Sequence, residues 1–423
     1  MNTAGFTAEA LAERTYFWER IRSLFTGIIE IIWQPGAAVA LLVAIRYYDM
    51  GTVAKSVISA AGFLGFLFTP LTLSLFAHTR RPIHQAMALI FVCTGLLLFL
   101  IPWFSSGIAF VILVSAAQMV MVQYTPMYTE MYSTHFTTQQ RGHRIGTVFI
   151  IAGGVSVIAN LVAGQMLDLR LESFKGLMLL AAACCGLSAL CLLQIPSEPL
   201  HVDKVGRPLR NLSLAWRDRL FGWLLSSWML LGFGNLMTLP LRTEYMANPR
   251  FGIDASNQAV LLITGAIPLV CRLLASRALG KMFDRWNLVH LRIMLNVLFL
   301  LSVGLFFSTR NLYVMGFSMA LLGTAMAGGR IAWSLWVTKL AGPGQTSAYM
   351  SVHMFSTGLR GSLAPFLGYA LIAAFSIRQV SFMGMALIVI STLMFIPAIG
   401  HMDRRGIELA EGEGSPANEG SES

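Results

Sequence analysis

Charge is scarce in this chain of 423 residues: Asp, Glu, Lys and Arg make up 12% of it, about half the share of an ordinary soluble domain. With 56% of residues hydrophobic, that shortage excludes a string of water-soluble domains. A Gly-rich phosphate loop, a His-Glu-x-x-His helix and a Gly-x-Ser-x-Gly elbow are all absent, so no nucleotide, zinc-protease or hydrolase chemistry is written in motif form. No cofactor and no enzyme activity are expected. Five cysteines (Cys93, Cys184, Cys185, Cys191, Cys271) fall inside apolar runs without metal-ligand spacing. They read as small buried residues rather than as disulfide partners. His78, His84, His135 and His143 fall on expected loops, and their spacings match no metal site. Solvated side chains are the reading for all four.

Long apolar runs are what the chain has instead. Many approach 20 residues, the length that crosses ~30 Å of hydrocarbon as a helix. Twelve such spans are expected, from 24–45 in the first half to 379–400 at the end. The net charge of +10 could suggest a nucleic-acid partner, but the 30 Lys and Arg are distributed by topology. With the N-terminus inside, eighteen fall on cytoplasmic segments and eight (Arg46, Lys55, Arg170, Lys175, Arg242, Arg250, Arg310, Arg378) on the opposite face. Arg292 is counted among the eighteen. The asymmetry obeys the positive-inside rule and places both termini in the cytoplasm.

The expected layout is a segment 1–23 carrying an interfacial amphipathic helix in "YFWERIRSLF", a six-helix bundle over 24–195, a cytoplasmic loop over 196–219 and a second bundle over 220–400. The acidic Gly/Ser-rich tail 401–423 is expected to be disordered. The two bundles repeat each other. Arg46 in "AIRYYDM" matches Arg242 in "PLRTEYM", and Ser74 in "LSLFAHTRR" matches Gly280 in "LGKMFDRWN", with matched segments running the same way across the membrane. A parallel six-helix repeat is a transporter architecture.

Six plus six spans, a basic central loop and a charged turn after the second helix of each half resemble the major facilitator superfamily. Gly280, Asp284 and Arg285 keep the first part of that family's turn signature, Gly-x-x-x-Asp-Arg. In the first half only Arg80 and Arg81 match its basic end, with Ser74 and His78 standing where Gly and Asp would be. The resemblance implies an all-α membrane protein with twelve transmembrane helices, working by alternating access, and a cytoplasmic gate at Gly280, Asp284, Arg285, Arg80 and Arg81. It also implies that the first, fourth, seventh and tenth helices line a central cavity, flanked by the second, fifth, eighth and eleventh.

Four arginines lie inside spans: Arg272, Arg277, Arg330 and Arg360. A lipid-facing arginine near the bilayer centre costs ~2.5–3.5 kcal/mol even on a lenient scale. Arg277 can snorkel to the surface, but Arg360 is about 18 Å deep at 1.5 Å rise per residue. Tyr349, His353, Ser356 and Arg360 form one helical stripe, and Thr264, Pro268, Arg272 and Ser276 form another. Asn235, in the Gly-rich "LLGFGNLMTLP", and Gln123 and Tyr124, opposite Arg330 by the repeat, complete the substrate-binding candidates Arg330, Arg360, Asn235, Arg272, His353, Gln123 and Tyr124. Glu30 is the single carboxylate well inside a span and so the candidate for ion coupling, since burial favours its protonated form.

The reading is a secondary transporter in the plasma membrane (the inner membrane of a bacterium), working as a monomer on a small organic anion. The anion follows from the excess of arginine, whose planar fork matches carboxylate and phosphate. Proton coupling through Glu30 and plain facilitated diffusion stay open. So do a receptor or regulator that kept the scaffold without transport and a membrane enzyme acting on a lipid-linked substrate.

Overall fold

The computed structural model describes residues 6–33, 38–199, 211–341, 346–398 and 400. Among them it is helical throughout, without a strand beyond one isolated bridge between Pro82 and Pro199. Inside hydrocarbon a backbone must satisfy its own N–H and C=O groups, and a helix does so within one segment. The first bundle comprises α1a (Ala8–Trp33), α1b (Ala38–Arg46), α2 (Thr52–Thr79), α3 (Ile83–Leu100), α4a (Gly107–Met121), α4b (Tyr124–His135), α5 (Thr138–Leu169) and α6 (Phe174–Leu193). The second comprises α7 (Arg219–Ala247), α8a (Asn257–Leu261), α8b (Ile267–Arg285), α9 (Leu288–Ser308), α10 (Leu312–Leu335), α11 (Thr346–Ala374) and α12 (Ile377–Phe395).

Among the described residues ten helices are long and apolar enough to cross a bilayer, and α1a with α1b, bent by 41°, makes an eleventh candidate. The 29 residues of α11 suffice in length; His353, Arg360 and its hydroxyl residues lower its hydropathy. Starts are written in capping residues: the side chains of Asp218, Asn287, Asn311 and Ser376 each accept a backbone N–H in the first turn of α7, α9, α10 and α12.

Within the first bundle α1a packs on α5 and α6, and α3 on α6 and α4a; within the second α8b packs on α10 and α7 on α12. The halves meet along α2 with α11, α5 with α8a, and α1b with α7. Small residues permit the closest approaches. A Cβ on Gly323 of α10 would sit 2.2 Å from the Pro268 carbonyl oxygen of α8b.

Three expectations are corrected here. The segment 16–25 is no surface helix: α1a runs unbroken through it, with Glu19 fully buried and Arg22 nearly so. The two neutralise each other three residues apart, at 2.6 Å, which lets the helix enter the bundle. Arg242 and Arg292, counted as surface charges, are buried in α7 and α9. Their helices extend past the apolar runs, and neighbouring helices cover them. His84 and His135 are not solvated either: His84 bonds Ser197 at 2.9 Å and His135 bonds Thr15 at 2.8 Å, both buried. The tail 401–423 and residues 200–210 of the central loop lie outside the described residues.

Candidate functional site

The site is built where the bundles part. Three adjoining cavities of about 100, 280 and 280 Å3 share Arg272 at their junction. Arg272 is carried by α8b just beyond a π-helical turn, Leu262–Ala266. Such a turn, frequent at functional sites, re-aims the side chains on its C-terminal side. The first cavity is lined by Glu30, Ser156 and Asn160 of the first bundle and by Thr264, Pro268 and Arg272 of the second. Glu30, Phe149, Arg272, Ser276 and Arg330 line the second cavity. The stripe Thr264, Pro268, Arg272 and Ser276 therefore does face the cavities.

The third cavity belongs mostly to the second bundle, with Trp228, Asn235, Arg272, Arg292, Arg330, Trp333 and Arg360 on its wall. Four guanidinium groups thus converge on one space. Arg330, the most exposed of the four, lies over the Phe149 ring at 4.7 Å and near Tyr128. Arg360, 6% exposed, donates from Nη1 to the Trp228 carbonyl at 2.5 Å. Its path is cleared by Gly232, where a Cβ would come within 2.3 Å of its Nε. That contact accounts for Gly232, while Gly234 of the same stretch lets α12 approach, where a Cβ would sit 2.5 Å from the Gly384 carbonyl oxygen. Asn235 faces the same cavity, with its Oδ1 unbonded.

The remaining expected residues are placed differently. His353 is fully buried within 5.4 Å of the rings of Trp228, Trp333 and Trp336, beside Arg360 rather than on the cavity wall. Tyr349 donates to Asp218 at 2.9 Å. The α11 stripe accordingly packs against α7 and reaches the cavity only at Arg360. Gln123 is a helix-packing residue: its amide donates to the carbonyls of Gly65 and Met119 at 2.8 and 2.9 Å. Tyr124 packs edge-on or tilted among the rings of Trp33, Phe91 and Tyr128, near Glu30 and Arg330. Sequence reasoning missed Arg292. It stands four residues past the start of α9, where an arginine normally marks the membrane surface.

The halves are fastened at one end, the end assigned to the outside by the charge asymmetry. Arg46 of α1b donates to Asp254 at 2.9 Å and to Asn257 at 2.6 Å. Lys55 of α2 pairs with Glu244 of α7 at 2.7 Å, both nearly inaccessible to solvent. Asp168 of α5 accepts from the backbone N–H groups of Asn257 and Gln258 at 2.6 and 3.0 Å, capping α8a from across the interface. At the other end Arg80, Arg81 and Arg285 are exposed, and only the Ile331 side chain comes near a Cβ built on Gly280, at 3.8 Å. The Asp284 side chain lies outside the described residues. Arg46–Asp254 and Lys55–Glu244 thus tie the bundles at the first of these ends, while the arginines of the second stand exposed.

A family model for the Major Facilitator Superfamily matches residues 24–365. The chain belongs to that superfamily. Solved structures with the same fold include the nucleoside transporter NupG in a mutant form, at 15% identity and a TM-score of 0.72, with 90% of this chain and 99% of that one covered. A D-xylose-proton symporter matches at 15% identity and 0.65, covering 90% and 97%. A bacterial homologue of the human lysosomal transporter Spinster, inward-facing and unoccupied, matches at 13% and 0.62, covering 96% and 99%. No curated protein matches the sequence. The chain is a multi-pass membrane transporter and not an enzyme.

Proposed function

We propose that this secondary transporter moves a small organic anion by alternating access, with Glu30 carrying a coupled proton. One observation carries the reading: Arg272, Arg292, Arg330 and Arg360 face a common cavity system whose described walls include a single carboxylate, Glu30. Four guanidinium groups gathered on one low-dielectric cavity system favour a negatively charged ligand, and the fork geometry suits carboxylate or phosphate oxygens. Glu30 shares its cavities with Arg272 and Arg330, so protonation there changes the charge that the solute meets.

Alternating access would then rock the bundles about the site. The fastened end, Arg46–Asp254, Lys55–Glu244 and Asp168 on α8a, must open as the inner ends of α2, α4b, α8b and α10 close. The protein works as a twelve-span monomer with both termini in the cytoplasm. A cysteine replacing the exposed Arg250 should react with an impermeant thiol reagent from outside; labelling only from inside reverses the orientation. Uptake or exchange of radiolabelled organic anions by the purified protein in liposomes tests the function. Transport of anions but not of uncharged sugars or nucleosides is the expected result. Saturable binding without any flux would instead make the chain a receptor on a transporter scaffold.

A further inference from the structure

We infer that the solute carries two separate oxyanion groups, and that Arg292 and Arg360 receive the second while Arg272 and Arg330 receive the first. The inference rests on the organic-anion reading and deepens it. The two arginine pairs differ in their surroundings. Arg272 and Arg330 share their cavity with Glu30, and Arg330 already lies over Phe149 and near Tyr128. That end has its own acid to exchange against a ligand.

The other end has none. Arg292 and Arg360 are 2% and 6% exposed, lie within electrostatic range of each other, and form no ion pair among the described residues. Two like charges this close, shielded from water, repel each other unless a counter-charge enters. What surrounds them holds them without neutralising them. Arg292 lies over the Trp228 indole at 3.8 Å, and its Nε has no bonding partner. Arg360 gives one bond to the Trp228 carbonyl and leaves its own Nε unbonded. His353, fully buried beside them, has both ring nitrogens unpartnered. A deeply buried cluster with this many unsatisfied donors is a site prepared for acceptors. Gly232 shows that it is built rather than accidental, because any side chain there would displace the Arg360 guanidinium.

The two ends open on the same cavity, which the Asn235 amide also lines. The chemistry recognised is therefore a short dianion with an acidic group at each end and a hydrogen-bonding middle. Dicarboxylates and phosphorylated carboxylic acids share that chemistry.

Thermal melting of the purified protein with added probes tests this. Succinate and 3-phosphoglycerate present two anionic groups, acetate and inorganic phosphate present one, and uridine presents none. At least one two-group probe should stabilise with a half-saturating concentration tenfold or more below both one-group anions. The advantage should vanish in Arg292→Gln while the response to one-group anions persists; 3-phosphoglycerate against succinate separates phosphoryl from carboxyl preference. Should Arg292→Gln not fold, Arg292→Lys keeps the charge, loses the fork and should retain only part of the advantage. Equal responses to one-group and two-group anions overturn the two-ended site and leave the anion reading standing. A response to uridine alone overturns both. Silence from every anion, or a full advantage in Arg292→Gln, also removes the proposal.

Discussion

The two bundles repeat each other in fold and differ in how they treat buried charge. In the first, Glu19 and Arg22 pair at 2.6 Å, and the Tyr132 hydroxyl donates to the same carboxylate. Arg144 finds Glu13 at 2.5 Å. In the second, Arg242, Arg292 and Arg360 are buried without an ion pair among the described residues, and Arg242 has only a 3.3 Å bond to Ser302 and the face of Phe306. Its deepest carboxylate, Glu244, is neutralised by Lys55 from the first bundle. Similar folds can therefore divide the labour: the first half pairs its buried arginine within itself, and the second holds buried arginines that no carboxylate of the described residues pairs.

The sharpest way to break that contrast is Glu19→Gln. It strands Arg22, 4% exposed, among Phe91 and Tyr124. Removing one partner of a buried pair costs ~3–5 kcal/mol, so yield and melting temperature should collapse. Adding Arg22→Met should recover much of the loss. Unchanged stability in Glu19→Gln would mean the first bundle's charges are no more settled than the second's.

Next in size is Arg360→Ala, where the sign for stability should differ. No carboxylate is left behind, so melting without solute should hold or rise. Solute affinity should fall by roughly ten- to hundredfold, the ~1.5–3 kcal/mol of a shielded guanidinium–carboxylate contact. Arg360→Lys should fall between, since it keeps the charge and loses the planar fork. A drop in melting temperature with full affinity would make Arg360 structural, like Arg22.

How much of this was legible depends on the same physics. The spans could be read because hydrocarbon forces long apolar runs, and the repeat because matched turns survive in both halves, at offsets that differ by one ten-residue insertion between the seventh and eighth spans. Arg272, Arg330, Glu30 and Asn235 could be read as cavity residues because each interrupts an apolar run at depth, where lipid does not tolerate it. The burial of Arg292 in the cavity wall and of the Lys55–Glu244 pair between the bundles could not. Each of these residues stands near a helix end, where a charge ordinarily meets water, and its burial depends on helices far away in sequence. Gln123 misled in the opposite way: a polar side chain at mid-span looks functional until a facing carbonyl, here Gly65 on α2, is seen to satisfy it. The Glu19–Arg22 pair was hidden because three-residue spacing serves a surface helix and a buried pair equally well.

The contrast also runs between the two ends of the molecule. Lys55→Gln unties the buried link between the bundles, although Glu244 keeps Asn248 at 2.8 Å and Arg250 at 3.9 Å. Because those partners remain, the penalty should stay below that of Glu19→Gln. A shift of about tenfold toward the outward-open form, roughly 1.4 kcal/mol, should appear as faster labelling of a cavity cysteine from outside. Labelling unchanged from wild type would make Lys55–Glu244 a static strut.

The smallest effect should come from Asp284→Asn at the inner end. Gly280, Asp284 and Arg285 keep the family spacing, yet Arg285, Arg80 and Arg81 are exposed in this conformation. The proposed gate acts through the conformation that brings these residues together. Removing the Asp284 charge should therefore leave melting temperature unaltered and favour the inward-open form. Pairs between exposed charges are worth at most about 1 kcal/mol, so cavity labelling from inside should rise no more than about fivefold, less than the outward shift from Lys55→Gln. The two substitutions should push in opposite directions, and the double variant should return towards the wild-type balance. If Asp284→Asn instead favours outward opening, or shifts the balance more than Lys55→Gln, the inner turn dominates and the outer fastening is secondary.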